Sequence, residues 1–158
     1  MELPVEFREY AVAALGEEVA QGLFDVIGSG EEITSVRVNP FKVDESSVEE
    51  GFFPAEVEGK VKWSELGHYL KERPVFTLDP LFHAGGYYVQ EASSMYMELV
   101  KDAIEKDYGS RDDAQEGGFF AQKLAALDLC AAPGGKSTHL ASLLGSDSLL
   151  VSNEVIKS

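Results

Sequence analysis

LDLCAAPGGKSTHLASLLG, residues 127–145, reads as a strand that runs into a glycine-rich loop and then a helix. Residues 124–129 form a short apolar run, the length of one buried parallel strand. Cys130, Ala131, Ala132, Pro133, Gly134, Gly135 and Lys136 follow, small residues with two adjacent glycines. From Ser137 the apolar positions fall at Leu140, Leu143 and Leu144, a helical spacing, and Gly145 is a stop signal. A tight glycine turn opening a helix lets a ligand approach bare backbone. It also aims free N–H groups and the positive end of the helix dipole at that ligand. The loop therefore expects a polar or anionic ligand: a phosphate, a dinucleotide, or the charged and ribose parts of an adenosyl sulfonium.

The chain around this stretch has 158 residues, of which 44% are apolar, enough for a packed core. No apolar run approaches the roughly 18 residues of a membrane span. The opening stretch, MELPVEFREYAVAALG, is acidic early and amphipathic, unlike a secretory signal. A single cysteine excludes an internal disulfide and a multi-cysteine zinc site, and suits a cytoplasmic location. His68, His83 and His139 are widely spaced, so no metal site is expected. With 13 basic against 28 acidic residues the net charge is −15, which argues against broad direct contact with nucleic acid.

Outward from the loop, the chain reads as α/β in two parts. Residues 1–84 are expected to form a small α+β N-terminal domain. It holds two short amphipathic helices broken around Gly16, a strand at residues 33–38 (ITSVRV, alternating and β-branched), an acidic loop at 44–51, and a hairpin with its turn at Glu58–Gly59. Residues 85–158 are expected to open a Rossmann-like domain. Here Tyr87–Tyr88–Val89 reads as a strand, and a helix from Glu91 carries Met95, Leu99, Ala103 and Ile104 on its apolar face. A polar linker at 110–118 precedes the quoted unit, and a second buried strand at 149–151 follows it. Two parallel strands are few for an open sheet of about five or six, so the chain is expected to be the N-terminal part of a longer protein. Its open sheet edges and apolar faces are expected to cause self-association or poor order beyond about residue 110.

Two chemistries compete for the loop. A phosphate-binding loop, G-x-x-x-x-G-K-[ST], fits Gly135-Lys136-Ser137 but finds Cys130 where its first glycine belongs. An adenosyl ligand asks instead for an acid about 20 residues beyond the glycines, at the end of the next strand, to take the ribose hydroxyls. Glu154 stands 20 residues beyond Gly134.

At residues 128–138, DLCAAPGGKST resembles the cofactor motif D-x-C-A-A-P-G-G-K-[ST]-T of the RNA cytosine-5 methyltransferases, the Sun/nucleolar-protein family. Residues 86–95, GYYVQEASSM, are similar to that family's G-x-[YF]-x-x-Q-[ED]-x-S-S-M segment, and SVRVNP at 35–40 to its S-x-R-x-N strand. The resemblance implies an S-adenosylmethionine-dependent methyltransferase acting on cytosine carbon 5 in RNA, with ribosomal RNA as partner, and an N-terminal domain able to bind RNA. It places the cofactor contacts on Cys130, Ala131, Ala132, Pro133, Gly134, Gly135, Lys136 and Glu154, with Gln90 and Glu91 flanking the cleft. The family's nucleophilic and product-releasing cysteines lie in motifs downstream, expected beyond Ser158, so no residue here is assigned as catalytic and the chain alone is expected to be inactive. A phosphate-binding loop protein and a non-catalytic RNA-binding or protein-interaction module are the alternatives.

Other residues carry plainer expectations. Cys130 is expected to be a buried small hydrophobe. Trp63, Tyr69, Tyr87 and Tyr88 are expected to pack rather than stack on bases. Ser93 and Ser94 are expected as helix caps. Arg37 and Lys42 are weighed as phosphate contacts against ordinary strand positions.

Overall fold

In a computed structural model the described residues are 3–49 and 51–155. They divide into two compact units, Met1–Ile33 and Thr34–Ser158. The first is a helical hairpin: α1 (Val5–Leu15) and α2 (Glu17–Ser29) are separated by Gly16 alone. Glu17 and Glu18 sit in the first turn of α2, where negative charge complements the helix dipole. The two helices close on Ala11, Ala20 and Phe24. Phe7 meets the Phe24 ring edge-on at 6.2 Å, and the Arg8 guanidinium lies 5.0 Å from its centroid.

The second unit begins with an antiparallel sheet of four strands, β1 (Thr34–Val38), β2 (Val57–Lys60), β3 (Gly67–Leu70) and β4 (Tyr87–Val89), in the spatial order β2-β3-β1-β4. Val36 of β1 stands opposite both His68 and Val89. One face packs Val36, Val38, Leu70 and Tyr87 onto Val48, Phe53 and Phe76. The alternation in ITSVRV predicts one wet face, yet all five residues of β1 are buried. Ser35 and Arg37 face chain segments far away in sequence, which cover the second face (below).

Local differences have local causes. The expected turn at Glu58–Gly59 is an irregularity in the pairing of β2 with β3, and the hairpin turns instead between Lys60 and Gly67. The expected loop at 44–51 contains α3 (Glu45–Glu49), anchored by Val48 in the core. A 3₁₀ turn (Phe76–Leu78) leads into α4 (Pro80–His83), whose N-cap Asp79 accepts from Leu81 N–H at 2.9 Å. The expected division after residue 84 passes through one sheet, since β4 hydrogen-bonds to β1.

Beyond β4 the chain starts its helix as a 3₁₀ segment (Ala92–Tyr96) and continues as α5 (Met97–Gly109). Neither Ser93 nor Ser94 caps it; no side chain does. Its buried positions are Ala92, Met95, Glu98 and Tyr108, whereas Leu99, Ala103 and Ile104, expected inside, are exposed, Leu99 and Ile104 to 42% and 36%. Polar linker residues are tied back to α5: Gln115 N–H donates to Tyr108 Oη, and Phe119 and Phe120 N–H donate to Glu105.

The last element is a βαβ unit: β5 (Ala125–Asp128), α6 (Gly135–Leu143) and β6 (Leu149–Ser152), with the strands parallel and Ala125 opposite Leu149 through Asp128 opposite Ser152. Both strands were expected to be buried. Instead Leu127 and Leu149 are 59% and 60% exposed, because the helix covers one face only. Among the described residues no helix is long and apolar enough to cross a membrane, and no group of three or more His, Cys, Asp or Glu residues could hold a metal ion.

Candidate functional site

The loop between β5 and α6 is held at both ends by the strands beside it. Asp128, at the end of β5, accepts from Cys130 N–H at 3.1 Å and from Ser137 Oγ–H at 2.6 Å, so one carboxylate bridges the start of the loop to the first turn of α6. Those two hydrogen bonds, the Ser137 one foremost, hold its carboxyl below the usual aspartate range. Ala131 N–H donates to Asn153 O at 3.0 Å, and Asn153 N–H to Asp128 O at 2.8 Å, which stitches the loop to the end of β6.

Gly134 carries a φ of +108°, the left-handed region that favours glycine, and the space beside its Cα is open. Gly135 is buried for a different reason. A Cβ there would stand 3.2 Å from Tyr88 and 3.6 Å from the Gln90 amide carbon. Thr138 N–H closes the first helical turn onto Gly134 O at 2.9 Å. The N–H groups of Gly135, Lys136 and Ser137 precede that first bond and form the positive end of α6.

A cleft of about 260 Å³ runs between this loop and the segment after β4, lined by Tyr88–Glu91 and Ser94 on one side and by Ala131, Ala132, Pro133, Gly135 and Lys136 on the other. Tyr88 Oη–H donates to Pro133 O at 3.0 Å across it. Glu154 lies at the same loop: its Oε2 accepts from Ala132 N–H at 3.0 Å and its Oε1 from Val155 N–H at 2.8 Å. The sequence-predicted residues Cys130–Lys136 and Glu154 are thus brought together, with Gln90 and Glu91 on the facing wall. Ala132 N–H, expected to meet a ligand, is engaged by Glu154. Cys130 is exposed, not buried as expected, because β5 presents that end of the loop to solvent.

The burial and the partners of two polar groups, Arg37 and His139, were not legible in the sequence. Arg37 is 3% exposed. Its Nε–H donates to Gln90 Oε1 at 2.8 Å, and its Nη2 group donates to Thr138 Oγ1 at 2.7 Å and to Gly135 O at 3.4 Å. It is therefore unavailable to RNA phosphate. Burial lowers its pKa to about 10, which leaves it charged at neutral pH. The second is His139, fully buried on α6, with Nε2 2.9 Å from Glu98 Oε1. Glu98 also takes Ser64 Oγ–H and, at 2.6 Å, Glu65 N–H. Burial alone would raise the Glu98 carboxyl, but these donors outweigh it and hold the group below the usual glutamate range. Nothing in the sequence pairs these residues, which lie 33 to 101 positions apart. Asp128 was legible: an Asp two residues before a loop N–H is a turn-forming pattern.

Of the aromatics expected to pack, Trp63, Tyr69 and Tyr87 do, whereas Tyr88 lines the cleft. Tyr87 is in the core, and Trp63 stacks on Tyr96 at 4.8 Å while its Nε1–H donates to Ala92 O.

The donor set suits an adenosyl ligand: an open glycine turn, a helix N-terminus, a buried amide nitrogen of Gln90 without a partner, and a carboxylate at the loop. Comparison with known proteins gives the chain a family. The family described as the N-terminal domain of 16S rRNA methyltransferase RsmF matches residues 3–92. The ribosomal RNA small subunit methyltransferases F of Shewanella piezotolerans and Vibrio atlanticus are 32% and 33% identical to it, each over 76% of this chain. The chain spans about a quarter of the length of these curated relatives, 23% in both cases. A solved methyltransferase homologue from Pyrococcus horikoshii shares the fold, with a TM-score of 0.63 over 95% of this chain and 44% of its own, at 24% identity. On its match over residues 3–92, the chain belongs to the family of the N-terminal domain of 16S rRNA methyltransferase RsmF.

Proposed function

We propose that this chain supplies the cofactor cleft of an S-adenosylmethionine-dependent methyltransferase acting on carbon 5 of a cytosine in ribosomal RNA, in the cytoplasm. The observation that carries the reading is the juxtaposition of the Gly134–Gly135 turn, the positive end of α6 and Glu154 on one loop. Bound S-adenosylmethionine supplies a sulfonium methyl group for transfer. Within this chain the loop N–H groups and Lys136 receive the methionine end. Glu154 takes the ribose hydroxyls, for which it exchanges its hydrogen bond from Ala132. Cys130 shapes the loop and is not the nucleophile: it belongs to the string at 128–138 that resembles a cofactor motif, whose family keeps its nucleophilic cysteine in a separate motif downstream. Residues 1–84 serve as the RNA-facing part and 85–158 as the opening of the methyltransferase part, whose first strand β4 pairs with β1 of the other.

Thermal denaturation with S-adenosylhomocysteine and with ATP–magnesium tests this. A ligand present at 100 times its Kd adds about 2.7 kcal/mol of stability. Stabilisation by S-adenosylhomocysteine alone is the expected result. Stabilisation by ATP–magnesium alone would replace this reading with the phosphate-loop one, which the Gly135-Lys136-Ser137 run favours.

A further inference from the structure

Gln90 follows β4 with 7% of its surface exposed, and the two ends of its amide have different fates. Oε1 accepts from Arg37 Nε–H at 2.8 Å. A guanidinium only donates, so the amide oxygen must face Arg37 and the NH₂ group must face away from it. Among the described residues Nε2 meets no acceptor. A buried donor left unmet costs free energy that the fold must offset, and such groups call for a reason. Gln90 lines the cleft beside Ala131, Pro133 and Gly135, and its amide carbon lies 3.6 Å from where a Cβ on Gly135 would stand, in contact with the first turn of α6.

Arg37 adds charge to this geometry. Its hydrogen-bond partners are Gln90 Oε1, Thr138 Oγ1 and Gly135 O, all neutral acceptors. A buried cation therefore lies against the first turn of α6 and reinforces the positive end of the helix. In a chain of net charge −15, Arg37 and the positive end of α6 place positive charge at this end of the cleft, with Glu98 acting as a counter-charge to Arg37 and Lys136 facing Glu91 across the lining.

We propose that Gln90 donates its free N–H to a carboxylate oxygen at the amino-acid end of the adenosyl ligand, and that Arg37 is the positioning residue that holds the amide in that orientation. The proposal rests on the adenosyl reading of the cleft given above. It assigns Gln90 to ligand contact and gives the buried arginine of the antiparallel sheet a task at the cofactor loop.

The test is isothermal titration of the 158-residue chain with S-adenosylhomocysteine and with 5′-methylthioadenosine, which keeps the adenosine and thioether but lacks the amino acid. Gln90→Glu preserves shape and still accepts from Arg37, but its second oxygen cannot donate and repels a carboxylate. It is expected to weaken S-adenosylhomocysteine at least about tenfold, the scale of one charge-assisted hydrogen bond, to leave 5′-methylthioadenosine unchanged, and not to lower Tm. Arg37→Lys is expected to show the same ligand-selective loss, because an ammonium lacks the planar fork that reaches Gln90 and Thr138 together. If Gln90→Glu loses its native circular dichroism, Gln90→Met serves for the same comparison. Undiminished S-adenosylhomocysteine affinity, or an equal loss for both ligands, overturns this proposal while wild-type binding upholds the adenosyl reading. A wild-type chain that binds neither ligand overturns both.

Discussion

Gly134 shows how one residue can be legible without its neighbours. Paired glycines before a helix announced a tight turn, and the φ of +108° is the reason a glycine stands there. No atom lies within 4 Å of a Cβ built on it, so Gly134→Ala costs backbone strain alone. The expected loss is about 1–2 kcal/mol, the penalty for an L-residue in the left-handed region, read from urea unfolding of the two proteins. Cys130 was misread at this scale. Free cysteines are usually buried, but burial depends on what packs over a strand end, and that is not written beside the residue. Gln90 and Arg37 were each noticed in motifs. Their mutual hydrogen bond, 53 positions apart, exists only because β4 lies alongside β1.

Between elements, the Glu98–His139 pair joins α5 to α6 and, through Ser64 and Glu65, to the turn before β3. Removing the acid leaves three donors at a buried site without their acceptor. Glu98→Ala is therefore expected to lose about 3 kcal/mol, the upper end of the cost of leaving a buried donor unsatisfied, in urea unfolding at pH 7. The pH dependence follows from the sign of the shift. The folded carboxyl titrates below its ordinary value of 4.5, so folding favours the ionised form. Its contribution is complete above pH 4.5 and drains away as pH falls through the lower, folded value. In unfolding experiments the gap between wild type and Glu98→Gln should narrow below pH 4.5; a gap that stays constant in acid would show that the carboxylate is not the stabilising form. The periodicity of α5 suggested an apolar face with Leu99 and Ile104 inside. The helix turns Glu98 inward instead, because Ser64, Glu65 and His139 supply donors that make its burial tolerable.

At the scale of the molecule, the parallel pair β5–β6 leaves Leu127, Leu129, Leu149 and Val151 between 48% and 63% exposed on one face. An apolar patch of this kind promotes association. Light scattering of the 158-residue chain is expected to show a mass that rises with concentration, and Leu127→Lys with Val151→Lys should abolish the rise. What the sequence determined by itself was whatever rests on short-range stereochemistry: the helix break at Gly16, a strand read at 33–38 and found at Thr34–Val38, another at 87–89, the strand–loop–helix around Gly134, and the placing of Glu154 at the end of the strand after it. Twenty residues of βαβ geometry bring that acid back to the loop wherever the unit sits, so spacing alone could foretell it. Tertiary structure alone decided that β1 is buried on both faces, that Arg37 and Gln90 stand against the loop between β5 and α6, and that Glu98 meets His139. These depend on which distant segments share a surface, and on the need of every buried polar group to find a partner there, a demand that acts only once the chain has folded around it.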